Sequence, residues 1–193
     1  MKKIGLDDIQ GLAGYEKVRE EFRREIIELK KKRRVAIGAQ VTLVFENRET
    51  IIFQIQEMLR AERITDLDKI REEIKVYNGL IPDGGELSAT LLLEIEDQAN
   101  LREELLKFLG IDEALFLQVG DRSPVHARFE EGRSREDKIS AVQYVRFTLD
   151  PDHIEAMAGK KERTRLVIDH PHYKAETTLE PETQRSLADD LMA

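Results

Sequence analysis

"RVAIGAQVTLVFENRETIIFQIQEMLRAERI", residues 34–64, changes its hydrophobic period partway along, and that change decides the fold class. Val35, Ile37, Val41, Leu43 and Phe45 fall on one face, with Gln40 and Thr42 opposite. This is the period of a strand of about ten residues with one side on a core. From Asn47 the spacing lengthens to that of a helix, with Asn47 as its cap and Glu49 in its first turn. Ile51, Ile52, Ile55, Met58 and Leu59 form the main apolar face, while Phe53 and Ile64 lie on the opposite side. A helix that is apolar on two sides is expected to be covered on both.

Upstream, Tyr15, Val18, Phe22, Ile26 and Leu29 predict a helix over residues 15–33, with Glu20 to Arg24 and Glu28 to Lys32 as pairs four apart. Downstream, Thr65 and Asp68 resemble a capping box, opening a helix through Leu67, Ile70, Ile74 and Tyr77 that closes at Asn78 and Gly79. "IPDGGE" is a turn-rich break before the alternating strand "LSATLLLEI", and Asp97 then caps a helix expected to run to Gly110. Shorter β-like segments follow near residues 113–120, 124–130, 139–149, 163–169 and 173–179, with "EEGRSRED" as an exposed charged loop. "DPDH" at 150 and "EPET" at 180 each open a short helix with an acid, a proline at the first helical position and another acid. No repeat or long linker divides the chain, so residues 1–193 read as a single α+β domain. The expected architecture is a curved, largely antiparallel sheet backed by helices behind a long N-terminal helix, with a helix-grip-like arrangement as the alternative.

The composition narrows the chemistry. Without cysteine there is no disulfide, no thiolate nucleophile, no cysteine zinc site and no cysteine-held iron–sulfur cluster. The formal charge is −8, and residues 1–34 carry eleven Lys and Arg against seven Asp and Glu, so the acidic excess lies in the rest. An acidic body repels phosphate, and "KKKRR" at 30–34 has no interleaved aromatic residue, so nucleic acid is not the expected partner. Those cations suit a helix C-terminus. Asp7 and Asp8 interrupt the N-terminus before any signal-like apolar run, and no stretch is long enough for a membrane span, which predicts a cytoplasmic protein.

Two constellations are candidates for a site. In "LVIDHPHYKAE", Asp169, His170 and His172 offer a carboxylate and two imidazoles to a divalent metal, although the same residues around Pro171 form a hairpin turn, the favoured interpretation. Accordingly no cofactor is expected, with a divalent metal as the alternative. His153 in "DPDHIEA" sits in an acid-rich first turn capped by Asp150. Glu62 falls on the main apolar face of its helix and would be a buried acid if that helix extends so far; the competing expectation is an end near Ala61. Dinucleotide, phosphate-loop, serine-hydrolase and zinc-protease motifs are all missing from the sequence.

The segments "VTLVFENRETIIFQIQEMLRAERI", "ELSATLLLEIED" and "VQYVRF", preceded by "GLDDIQGLAGYEKVREEFRREIIELKKKRR", resemble the bacterial family known as domain of unknown function 3501, end to end. That resemblance carries no activity and no catalytic residues. It implies, by association alone, a neighbourhood of rubrerythrin-like and iron–sulfur oxidoreductase proteins. It also marks Glu46, Asn47, Arg48, Gln54, Gln56, Glu57, Arg60 and Glu62 as the first candidates for a functional surface, with Arg48, Gln56, Arg60 and Glu62 foremost. Arg48 is expected to be structural, since a cation at a helix start gains nothing from the dipole, and Arg60 to face a partner. The functional expectation is a non-catalytic accessory or partner protein of a bacterial redox system. A metal- or small-ligand-binding domain is the first alternative, and an enzyme using a buried acid is the second.

Overall fold

The structure, a computed structural model, describes all residues except 98, 133, 136, 137, 160, 161 and 193, and only the backbone of 134, 135 and 138. A 3-10 turn at Leu6–Asp8 leads into α1 (Leu12–Lys31), then β1 (Arg34–Ile37), β2 (Val41–Glu46), α2 (Arg48–Ala61) and α3 (Leu67–Asn78). β3 (Glu86–Leu93), α4 (Leu101–Leu106), β4 (Leu115–Val119), β5 (Val125–His126), β6 (Arg128–Phe129), β7 (Ser134–Arg135), β8 (Lys138–Ile139) and β9 (Val142–Thr148) follow. The chain finishes with α5 (Pro151–Ala158), β10 (Thr164–His170), β11 (Tyr173–Thr178) and α6 (Pro181–Met192). The α+β class expected from the period switch is what forms.

The strands divide into two antiparallel sheets, β1-β2-β3-β9-β6 and β11-β10-β4-β5, with β7 and β8 as a separate hairpin. Neither sheet closes on itself. One chain segment links them: β5 pairs with β4 in the second sheet, and after Ala127 the same run pairs as β6 with β9 in the first. Their inner faces share a core that includes Leu43, Phe45, Leu91 and Phe147 from one and Leu117, Leu166 and Ile168 from the other, completed by Met157 of α5 and Leu187 of α6. Helices α2 and α3 keep a separate core of Ile51, Ile55, Leu59, Ile70 and Ile74, sealed by Ile4 and Ile81. Because these helices bury their main faces against each other, part of the first sheet's outer face is left to side chains and solvent.

Three local expectations need correction, while the end of α2 expected near Ala61 is what forms. The single long strand is a hairpin, β1 and β2, turning at Gly38 with φ 70°. Val35 pairs with Leu43 and Ile37 with Val41, so odd positions meet odd positions and the alternation runs unbroken through the reversal. The cap of α3 is Asp66, whose Oδ1 accepts the N–H groups of Asp68 (3.1 Å) and Lys69 (3.0 Å), one residue beyond Thr65. The Asp97 carboxylate accepts from the backbone of Ala99 (3.0 Å) and Asn100 (3.3 Å), forming a turn ahead of α4, which is only six residues long. Helix α2 stops at Ala61 in a Schellman motif: Ile64 N–H reaches the Leu59 carbonyl (2.9 Å), Arg63 N–H reaches that of Arg60 (3.3 Å), and Arg63 takes φ 52°. The charged loop at 130–137 lies partly outside the described residues.

Candidate functional site

All six residues of β2 are buried, so both faces of this strand are covered. Antiparallel register stacks its outward side chains against those of β3 and β9 in rows: Thr42, Leu92 and Val142; Val44, Thr90 and Tyr144; Glu46, Ser88 and Arg146. These rows floor a groove of about 430 Å³ lined by Val44, Glu46, Thr90, Leu92, Val142 and Tyr144, with Lys30 and Arg34 from the α1–β1 end and Gln54 from α2 as walls. A second hollow of about 310 Å³ continues past Tyr144 to Arg146, Arg128 and Phe129. Val142, at 36% exposure, is one of few large apolar side chains left open on the sheet.

Glu46 is the unusual member. It is 3% exposed, and its carboxylate accepts from the hydroxyls of Thr50 (2.6 Å) and Thr90 (2.7 Å) and from the Gln54 amide (2.9 Å). All three donors are neutral. Local sequence explains the placement: Asn47 caps α2 by accepting from Thr50 N–H (3.0 Å), which starts the helix at once and brings Thr50 and Gln54 of its first turns back over Glu46. Beneath it, Arg33 is fully buried and donates to the carbonyls of Phe45 (2.9 Å) and Glu46 (3.2 Å), to Ser186 Oγ (2.9 Å) and to the Asp190 carboxylate. Burial pushes the Asp190 carboxyl above its ordinary range, although Arg33 pulls the other way. "KKKRR" is therefore not wholly a solvated helix end. Arg34 is paired with Glu94 (2.5 Å), and Lys30 has no ion-pair partner among the described residues.

The residues singled out in the sequence are dispersed. Arg48 bonds Asp8 (2.6 Å) and the Lys2 carbonyl (3.2 Å), holding the N-terminal segment, and with the Gly5 N–H it keeps the Asp8 carboxyl below its usual range. Gln56, 2% exposed, exchanges two bonds with the Gln10 backbone (2.7 and 3.1 Å). Glu57 accepts both arms of Arg19 (2.8 and 2.9 Å) and the Tyr15 hydroxyl (2.7 Å), joining α1 to α2. Arg60 pairs with Glu16 (2.6 Å) and is 39% exposed. Glu62 lies beyond the helix and is exposed, so the buried acid of this region is Glu46. Its burial was hidden in the sequence because alternation assigned it to the outward side of a strand.

Asp169, His170 and His172 form the tip of the β10–β11 hairpin, with His170 opposite Tyr173 and Pro171–His172 as the turn. His170 is 3% exposed; its Nε2 donates to the Leu109 carbonyl (2.8 Å) and its Nδ1 accepts from His172 N–H (3.2 Å). Asp169 points away on the alternate face and pairs with Lys174 (2.7 Å). Among the described residues no group of three or more His, Asp or Glu is arranged to hold a metal ion. His153, 4% exposed, bridges Asp150 (2.7 Å) and the Ser123 carbonyl (2.9 Å). Another hollow, about 700 Å³ beside Arg163, Glu180 and Arg185, is lined by exposed residues together with the buried Leu179 and Gln184, and none of its charged side chains is buried.

Comparison with known proteins places this geometry in a family. The family described as "Protein of unknown function (DUF3501)" matches residues 3–191. No curated protein matches the chain. A crystal structure of a novel protein of unknown function from Burkholderia pseudomallei K96243 is similar along the whole fold. It shares 37% sequence identity at a TM-score of 0.92, over 98% of this chain and 100% of that one.

Proposed function

This chain belongs to the DUF3501 family, and because the family's description names no activity, we propose from the geometry that the protein is a non-catalytic accessory protein that docks a partner in the groove on the outer face of its first sheet. The observation that carries this is the groove itself: an open channel over β2, β3 and β9 with an apolar floor, a cationic rim and a buried carboxylate. Such a surface offers shape and charge to a protruding segment. A component of an oxidoreductase system is the partner, following the neighbourhood that the family resemblance implies. The cysteine-free chain fits an accessory role there, since redox chemistry at thiols or thiolate-held clusters would belong to the partner. Residence in the cytoplasm is part of the same proposal.

Among the alternatives, small-ligand binding draws support from Glu46, and it uses the same groove. Affinity capture from the native host tests the docking role. The wild-type chain should retain an oxidoreductase component at low salt. Val142→Arg, a change at an exposed position that blocks the groove, should lose it while melting like the parent. Recovery of the wild type alone at every salt concentration, or equal retention by Val142→Arg, would count against it.

A further inference from the structure

We propose that the Glu46 end of the groove is a receptor for the ammonium of a lysine side chain presented by the docking partner; this rests on the groove being the docking face. A carboxylate 3% exposed, with three neutral donors and no cation in ion-pair distance among the described residues, is an expensive arrangement on its own. Its two oxygens offer about four acceptor sites and three are taken: Oε2 holds Thr50 and Gln54, and Oε1 holds only Thr90. One acceptor site is left on Oε1, and Glu46 is among the residues that line the groove.

The chemistry of that remaining site selects lysine over arginine. An ammonium is a point donor that can complete a single acceptor position, whereas a guanidinium fork gains its advantage by meeting two acceptors side by side. Val44, Leu92 and Val142 supply an apolar track for a methylene stem, and Tyr144 in the same lining offers the aromatic surface that an ammonium favours. Arg34 is neutralised by Glu94, so the charge opposing the incoming cation is Lys30 at the rim. Lys30 in turn favours a lysine followed by an acidic neighbour over a run of basic residues.

Calorimetric titration of the full chain with the peptide acetyl-Ala-Lys-Glu-Ala-amide tests this, with norleucine or arginine in place of lysine as controls. The lysine peptide should bind at least ten-fold tighter than the norleucine peptide and several-fold tighter than the arginine peptide, and Glu46→Gln should abolish both preferences. If that variant does not fold, Lys30→Glu decides: it should strengthen the lysine peptide several-fold and leave the norleucine peptide unchanged. Equal binding of lysine and norleucine peptides overturns the inference. So does n-pentylamine binding more tightly than the lysine peptide, since the cation would then come from a free amine. Loss of the partner by Val142→Arg together with no lysine preference leaves the docking face standing and removes only the ammonium. A Glu46-dependent lysine preference with partner retention by Val142→Arg leaves the ammonium site and removes the docking role.

Discussion

Arg33 shows how much one side chain can hold. It follows the last turn of α1, where the chain turns into β1, and its guanidinium reaches two β2 carbonyls, Ser186 and Asp190. The entry to the first sheet and the final helix are thus tied through one buried group. Removing a member of such a pair strands the other charge in the interior, at a cost of about 3–5 kcal/mol. Arg33→Ala should therefore lower unfolding free energy by about that amount in urea titration. Arg33→Lys should lie between, because an ammonium cannot span the same fork of acceptors. An alanine variant with an unchanged urea midpoint would contradict the role. The sequence places Arg33 among five basic residues, and nothing in "KKKRR" distinguishes the buried one, since its acceptors come from residues 12 to 157 positions away.

At the scale of elements, the β1–β2 hairpin depends on β11. The Tyr173 hydroxyl donates to the Ile37 carbonyl (2.7 Å) and accepts from Gln40 N–H (3.0 Å), while Thr177 donates to the Ala36 carbonyl (2.8 Å). The seam between the two sheets is therefore closed here by side chains, which also shield the edge of β1. Gly38 is needed twice at this seam: its φ of 70° disfavours a side chain, and a Cβ would overlap Tyr173 Oη. Gly38→Ala should destabilise the protein by more than about 1 kcal/mol, and Tyr173→Phe in the same background should recover part of that loss by removing the overlapping oxygen. Thermal melting of both single variants and the double variant checks this; strictly additive losses would show that the two residues are not coupled.

For the whole molecule, His153 provides a pH response. It links the start of α5 to Ser123 in the β4–β5 connection, with both ring nitrogens facing acceptors, the Asp150 carboxylate and the Ser123 carbonyl. Burial alone disfavours the imidazolium, and Arg122 nearby opposes it, yet the bonds to Ser123 and Asp150 prevail and raise the pKa above the ordinary histidine value. The Asp150 carboxyl moves the other way, lowered by the backbone and side chain of His153. A raised histidine pKa stabilises the fold fully below the unfolded-state value of about 6.5, and that contribution is lost as pH rises through the folded value. Melting temperature should therefore fall as pH rises above about 6.5 more steeply in the wild type than in His153→Gln. Parallel profiles would remove His153 as the cause.

What the sequence determined by itself was periodic or local: the switch from period two to a helical period after Phe45, the Asn47 and Asp150 caps, the Pro171 turn and the α+β class. Each of these depends on residues within a few positions of one another, so the chain displays them before it folds. The reversal at Gly38 escaped because pairing odd positions with odd ones leaves the alternation intact. The end of α2 was open between Ala61 and Glu62 because the Schellman closure uses Arg63 where glycine is usual. Glu46 was named only as one of a row of polar residues. Its burial required β3 to bring Thr90 alongside and α2 to fold Gln54 back across it. The tertiary structure alone decided which of many charged residues left water, because the desolvation cost of each is settled by partners that only the folded chain brings within reach.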